Sequence, residues 1–221
     1  MGLNNRKSGI YLSIGDGKIN QSYGVTEDTP GAIKKIRKDG SIAYVLQYDS
    51  VSGFLTDIKV IEQEFSGAKV KKWEFTIQDG DETYLLQVGY SSRYAKSILF
   101  ALPNVDFSKG IEFSPWMKIV DDKKKTAVYL NQEGLNGESV RWFFTRDEPN
   151  GMPEMKQVEF KGQLVWDDHD QCQFLERYVE EHIKPKLQGV QPEYTAMPAP
   201  NSPEDLKSDL GDGPEDSDLP F

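Results

Sequence analysis

Between residues 37 and 142 of this 221-residue chain, lysine and arginine recur beside aromatic residues. Lys69, Lys71 and Lys72 precede Trp73; Arg93 adjoins Tyr94; Trp116 stands two positions from Lys118; Lys123, Lys124 and Lys125 lead towards Tyr129. Arg141 adjoins Trp142, and Arg37 and Lys38 lie across an Asp-Gly turn from Tyr44. Cations that can track phosphates, interleaved with rings that can stack on bases, are what contact with a single-stranded nucleic acid requires. Each cluster alone is a weak signal, because aromatics in β-proteins mostly fill cores and strand lysines mostly guard edges. Alternation sorts some of them. Val128 and Leu130 point inward, which turns Tyr129 outward; Met117 and Ile119 read as buried, which sends Trp116 and Lys118 to solvent together. Val140, Trp142 and Phe144 share a core face, which leaves Arg141 outside, whereas Trp73 shares its face with Phe75 and Ile77 and stays ambiguous.

Other chemistry is poorly represented. The chain contains no glycine loop with a phosphate-binding lysine, no close pair of cysteines and no nucleophile elbow. Asp167-Asp168-His169-Asp170 could be imagined as a metal cluster, but neighbouring helix positions do not share a face. An acidic, capped helix start accounts for it better. His182 and the single cysteine, Cys172, fall on the apolar stripe of the same helix, so Cys172 is expected to be buried and inert. The expectation is a binding protein with no catalytic residue, metal or cofactor.

The elements that must position these residues are mainly strands. Ile10, Leu12 and Ile14 alternate, and Gly15-Asp16-Gly17 turns the chain into Lys18–Tyr23. Asp39-Gly40, between 33–38 and 41–48, is the strongest short hairpin signal. The segment 42–62 reads as a long bent strand or hairpin, 69–77 and 83–90 as two further strands, and 113–120, 126–131 and 139–145 as a later group. Weaker candidates at 156–160 and 163–166 flank Lys161-Gly162. Ser92–Leu102 breaks the pattern with helical spacing, Ser91 or Ser92 as cap and Pro103 as stop. A second helix, 167–186, begins at Asp167 or Asp168, carries Cys172, Leu175, Val179, His182 and Ile183 on one stripe, and should stop at Pro185. Strands, one helix, then strands is the order of an OB-fold. The expectation is an all-β, OB-like antiparallel barrel with one inserted helix, an N-terminal hairpin and an added C-terminal helix.

Charge divides the chain. The total is −10, yet residues 187–221 hold one lysine against eight acids and carry −7, and 167–186 carry −3, so residues 1–166 are neutral. A neutral body can still present a basic stripe, since the local field attracts phosphate. The expected organisation is a flexible 1–9, a folded 10–186 and a disordered acidic tail over 187–221 with proline at 192, 198, 200, 203 and 214. One cysteine suits a reducing compartment, the longest apolar run is Ile98–Leu102, and the first residues lack a signal-peptide stretch, so the expected location is the cytoplasm, without membrane contact.

The tail ends Asp216-Ser217-Asp218-Leu219-Pro220-Phe221. A terminal phenylalanine on an acidic leash can place its ring in an apolar pocket while its carboxylate meets a basic rim. These residues resemble the acidic C-terminal tip of bacterial single-stranded-DNA-binding proteins, and phage-encoded proteins of that kind carry similar tails. The likeness covers about a dozen residues; Ser217 interrupts the acidic run, and Leu219 stands where isoleucine is usual. The resemblance implies sequence-independent protection of single-stranded DNA in replication, recombination or repair. The tip, through Asp216, Asp218, Leu219, Pro220 and Phe221, would recruit proteins of those pathways and compete with DNA. On that reading Lys71, Lys72, Trp73, Arg93, Tyr94, Trp116, Lys118, Tyr129 and Arg141 are the candidate DNA-binding residues. Two rivals stay open, an acidic adaptor or DNA mimic and a metal-dependent nucleic-acid enzyme. Oligomeric state is not legible.

Overall fold

The computed structural model describes residues 9–37, 40–65, 67–135, 138–160 and 162–188. Strands β1 (Ile10–Gly15) and β2 (Lys18–Gln21) are joined by Asp16-Gly17, both at positive φ (53° and 72°), the backbone that a two-residue hairpin turn needs. There follow β3 (Ile33–Ile36), β4 (Ile42–Tyr48), β5 (Val51–Phe65), β6 (Ala68–Asp79) and β7 (Glu82–Gly89). Helix α1 (Arg93–Ala101) and a short 3-10 turn at Leu102–Asn104 lead to β8 (Ile111–Val120) and β9 (Lys123–Asn131). A hairpin of β10 (Lys156–Phe160) and β11 (Gln163–Asp167) precedes a C-terminal helix. That helix runs through α2 (His169–Tyr178), a π-helical segment at Val179–Ile183 and α3 (Lys184–Gln188).

The first nine strands form one sheet in the order β3-β4-β2-β1-β7-β6-β5-β8-β9, antiparallel except for the parallel pair β1–β7. The chain is therefore mostly β, as its alternation predicts, but the hydrogen-bonded ladder is open, with β3 and β9 as its ends. It curls all the same. The β1–β2 turn reaches β8, where a Cβ on Gly17 would lie 3.0 Å from Met117 Cβ and backbone N. β5 pairs with β8 through Val51–Gly53 and with β6 from Phe54 onward, and the change of partner falls at Gly53 (φ 154°). A Cβ there would meet Gln78 O at 2.7 Å, so only glycine fits.

The inner face carries the core, with Ile58, Phe75, Ile77, Leu86, Phe113 and Val128 at 0% exposure. Ile98, Phe100 and Leu102 of the α1 segment fill the curl. Each such side chain contributes about 1.5–3 kcal/mol on burial. Ser92 caps α1, accepting from Ala95 N at 3.1 Å. The C-terminal helix docks on this core through Cys172, Leu175, Val179 and Ile183, all buried. Between α1 and α2 lies a nearly buried ion pair, Lys96 Nζ to Asp168 Oδ2 at 2.8 Å.

Several expectations change. Residues 42–62 are not one strand or hairpin: β4 pairs with β2 and β3, whereas β5 pairs with β6 and β8. No strand forms over 139–145 beyond one bridge, Ser139 to Asn131. Trp142, Phe143 and Phe144 are consecutive and all pack inward against Phe100, Phe174 or Tyr178, which a two-residue period forbids. Asp168 opens α2 without a capping bond, because its carboxylate is committed to Lys96; Asp167 Oδ1 accepts from His169 N at 3.0 Å. The helix also passes Pro185, which sits in the first turn of α3 behind the π segment, where a missing N–H is tolerated. Leu187, placed by composition in the tail, packs against the core, while His182 is exposed with its ring 4.6 Å from that of Tyr178. The tip residues Asp216, Asp218, Leu219, Pro220 and Phe221, residues 1–8, Lys38-Asp39 and Asn136-Gly137 lie outside the described residues.

Candidate nucleic-acid interface

The β8–β9 ladder separates its side chains only over its first half, because Ile119, expected inside, is 61% exposed near the turn and Met117 is half-buried. Phe113 opposes Leu130 and Pro115 opposes Val128 on the inner face. On the outer face Ser114 opposes Tyr129, Trp116 opposes Ala127, and Lys118 opposes Lys125. Trp116 is 36% exposed, and its ring meets that of Tyr129 edge-on at 6.4 Å and 68°. Ala127, the cross-strand partner of Trp116, is only 2% exposed. Lys118 and Lys125 are direct cross-strand partners, so both project from this face. Lys123, opposite Val120, falls on the same face near the turn. Two rings and three cations therefore share one outward surface.

Lys124 takes the other face. Its Nζ lies 2.7 Å from Asp16 Oδ1 at the β1–β2 turn, which holds the Asp16 carboxyl below its ordinary range and raises the ammonium of Lys124. Gly17 N donates to Tyr94 Oη at 2.9 Å, so α1, the turn and the β8–β9 hairpin meet here. Tyr94 is half-buried in that junction, its hydroxyl pushed up by burial, and its role is to hold the turn. Arg93, one residue earlier, is exposed.

The other expected groups disperse. Trp73 is in the core at 1% exposure, stacked on Tyr90 (5.8 Å, 10°), with Nε1 donating to Tyr90 O at 3.2 Å. It cannot reach a base, because alternation gives it the face of Phe75 and Ile77. Lys71 shares that side, 5.3 Å over the Tyr90 ring and 3.9 Å from Glu176. Lys72 points to the opposite face and donates to Gln63 Oε1 at 2.8 Å. The run Lys71-Lys72-Trp73 is therefore not a joint cluster. Arg141 is exposed beyond the far end of α1, 4.0 Å from Glu138, with its carbonyl held by Asn104 Nδ2 at 2.9 Å. The structure thus brings together Trp116, Lys118 and Tyr129, and leaves Arg141 apart from them. Lys123 and Lys125 join the set through the register, which the sequence alone does not supply.

A second pair of rings was missed. Tyr11, 41% exposed, and Tyr23, 73% exposed, meet edge-on at 6.0 Å. Alternation among Ile10, Leu12 and Ile14 does turn Tyr11 outward, but nothing local joins it to Tyr23.

The acidic helix start diverges: Asp168 turns to Lys96, and Asp170 accepts from Lys156 at 2.6 Å. Among the described residues no group of three or more His, Cys, Asp or Glu side chains could hold a metal ion. Cys172 is buried and its thiol is pushed up to about 11, chiefly by burial. No helix among the described residues is long and apolar enough to cross a membrane. Comparison with protein-family models, with curated proteins and with solved structures finds no match to this chain.

Proposed function

We propose that this chain binds single-stranded DNA without strong sequence preference, as a cytoplasmic binding protein rather than an enzyme, acting in replication, recombination or repair. The observation that carries the reading is the outer face of β8–β9. An exposed tryptophan and a tyrosine stand beside Lys118 and Lys125, which oppose each other across the ladder. Rings stack on bases of any identity, and ammonium groups on the same face can track the phosphates of the strand. The curled sheet closed over by α1 supports the finer description of an OB-like barrel to which β1–β4 and the C-terminal helix have been added.

On this reading the tail has two roles, both resting on the resemblance of its tip to that of bacterial and phage single-stranded-DNA-binding proteins. Its −7 charge competes weakly with DNA for the basic face, and Asp216, Asp218, Leu219, Pro220 and Phe221 recruit a partner protein of the same pathways. Titration of labelled oligo-dT at two salt concentrations, with and without a divalent cation, tests the reading against its rivals. Binding that weakens with salt supports it. An acidic adaptor or DNA mimic gives no binding, and a nuclease consumes the oligonucleotide when the cation is added.

A further inference from the structure

The β10–β11 hairpin is a two-stranded sheet separate from the main one, with Lys156 opposite Asp167, Gln157 opposite Trp166, Val158 opposite Val165 and Glu159 opposite Leu164. Residues 156–159 of β10 and all of β11 are exposed, and an isolated hairpin is marginal in water. Opposed residues share a face, so Leu164 (71% exposed) and Trp166 (62%) form an apolar stripe on one side, and Val158 and Val165 lie on the other.

Edges of the other strands are guarded. β3 carries Lys34 and Lys35. On β9, Val128 N donates to Ser97 Oγ at 2.7 Å. β10 carries Lys156 and Glu159. From Gln163 to Trp166, β11 has no charge, proline or bulge. An unprotected apolar edge of this kind is a template for another strand.

We propose that the strand it takes is β11 of a second copy of this chain, paired antiparallel about Val165. That register sets Val165 against Val165 of the second copy, Leu164 against Trp166 of the second copy, and Gln163 against Asp167 of the second copy. No like charges meet, whereas the same operation on β3 would set lysine against lysine. The product is a four-stranded sheet whose leucines and tryptophans make one continuous stripe. Its two-fold contact is isologous and closes at two subunits instead of growing into a fibre. The inference is independent of DNA binding.

Light scattering on the full chain, without nucleic acid, over about a hundredfold range of concentration tests it, since mass action makes a dimer concentration-dependent. The native chain is expected to reach the mass of two chains. Val165→Lys sets like charges against each other at the two-fold and should remain a monomer wherever the native chain is a dimer. Val158→Lys, its cross-strand neighbour within the same hairpin, should still dimerise, and mixing Val165→Lys with Val165→Glu should restore the dimer. A native chain that is monomeric throughout, Val165→Lys and Val158→Lys behaving alike, or failure of the mixture to pair overturns the proposal.

Discussion

Removing one partner of the Lys96–Asp168 pair should cost far more when the lysine is left behind than when the aspartate is. The Lys96 side chain is 6% exposed and that of Asp168 is 31% exposed, so the ammonium depends on this contact while the carboxylate retains access to water. In Asp168→Ala the lysine keeps a bond to Gln171 Oε1 at 3.4 Å, which is long. Removing one partner of a buried ion pair costs about 3–5 kcal/mol. In a chain of this size each kcal/mol lowers the melting temperature by about 2–4 °C, so the expected fall is roughly 6–20 °C. Lys96→Met removes the buried charge, keeps most of the apolar stem, and leaves a carboxylate that water can reach, at a cost of about 1 kcal/mol. The double variant should recover most of what Asp168→Ala loses. Thermal and urea unfolding followed by circular dichroism measures all three. If Lys96→Met proves as damaging as Asp168→Ala, the pair does not join α1 to α2 in the way described.

Two further outcomes follow from the same geometry and from the proposed role of the tail. Cys172 is buried and its thiol is raised to about 11, so alkylation of the native chain at neutral pH should be slow and should become fast only when urea unfolds it; rapid native labelling would show that the C-terminal helix is not docked as described. Deleting 209–221 removes five of the tail's eight acids, so the truncated chain should bind oligo-dT more tightly than the full chain at low salt, with a difference that shrinks as salt rises. Phe221→Ala, which leaves the charge intact, should abolish partner capture with little change in DNA affinity.

Much of the strand pattern was legible because alternation is a local signal. β1, β2, β6, β7, β8 and β9 fall close to where period-2 runs and Asp or Gly turns place them, and α1 starts at a serine cap. What alternation cannot supply is which strands pair. Nothing in residues 42–62 says that β4 joins β2 while the start of β5 pairs with β8, since those contacts span tens of residues. The same holds for the candidate site. The outward direction of Tyr129 could be read from Val128 and Leu130, but that of Trp116 and Lys118 was inferred from a buried Ile119 that is in fact 61% exposed, and the opposition of Lys118 to Lys125 needed the register. Trp73 misled because proximity in sequence to Lys71 and Lys72 says nothing about sharing a face. The 139–145 segment misled because three consecutive aromatics satisfy a hydrophobic count without satisfying a strand. His182 left the apolar stripe because the π segment advances the helix by a wider turn than the 3.6-residue spacing assumes.

The central claim is tested most directly by titrating oligo-dT into the native chain, Trp116→Ala and the double variant Lys118→Ala/Lys125→Ala across a range of salt concentrations. If the outer face of β8–β9 holds a single strand, log K for the native chain should fall linearly with log salt, by about 0.7 per phosphate neutralised. The double lysine variant should show a slope shallower by about 1.4. Trp116→Ala should lose about 1–3 kcal/mol of binding, with the slope unchanged because the ring carries no charge. Its melting temperature should change little, since Trp116 is 36% exposed at the surface. Affinity that is independent of salt, or a Trp116→Ala chain that melts early yet binds as tightly as the native one once folded, would contradict the account.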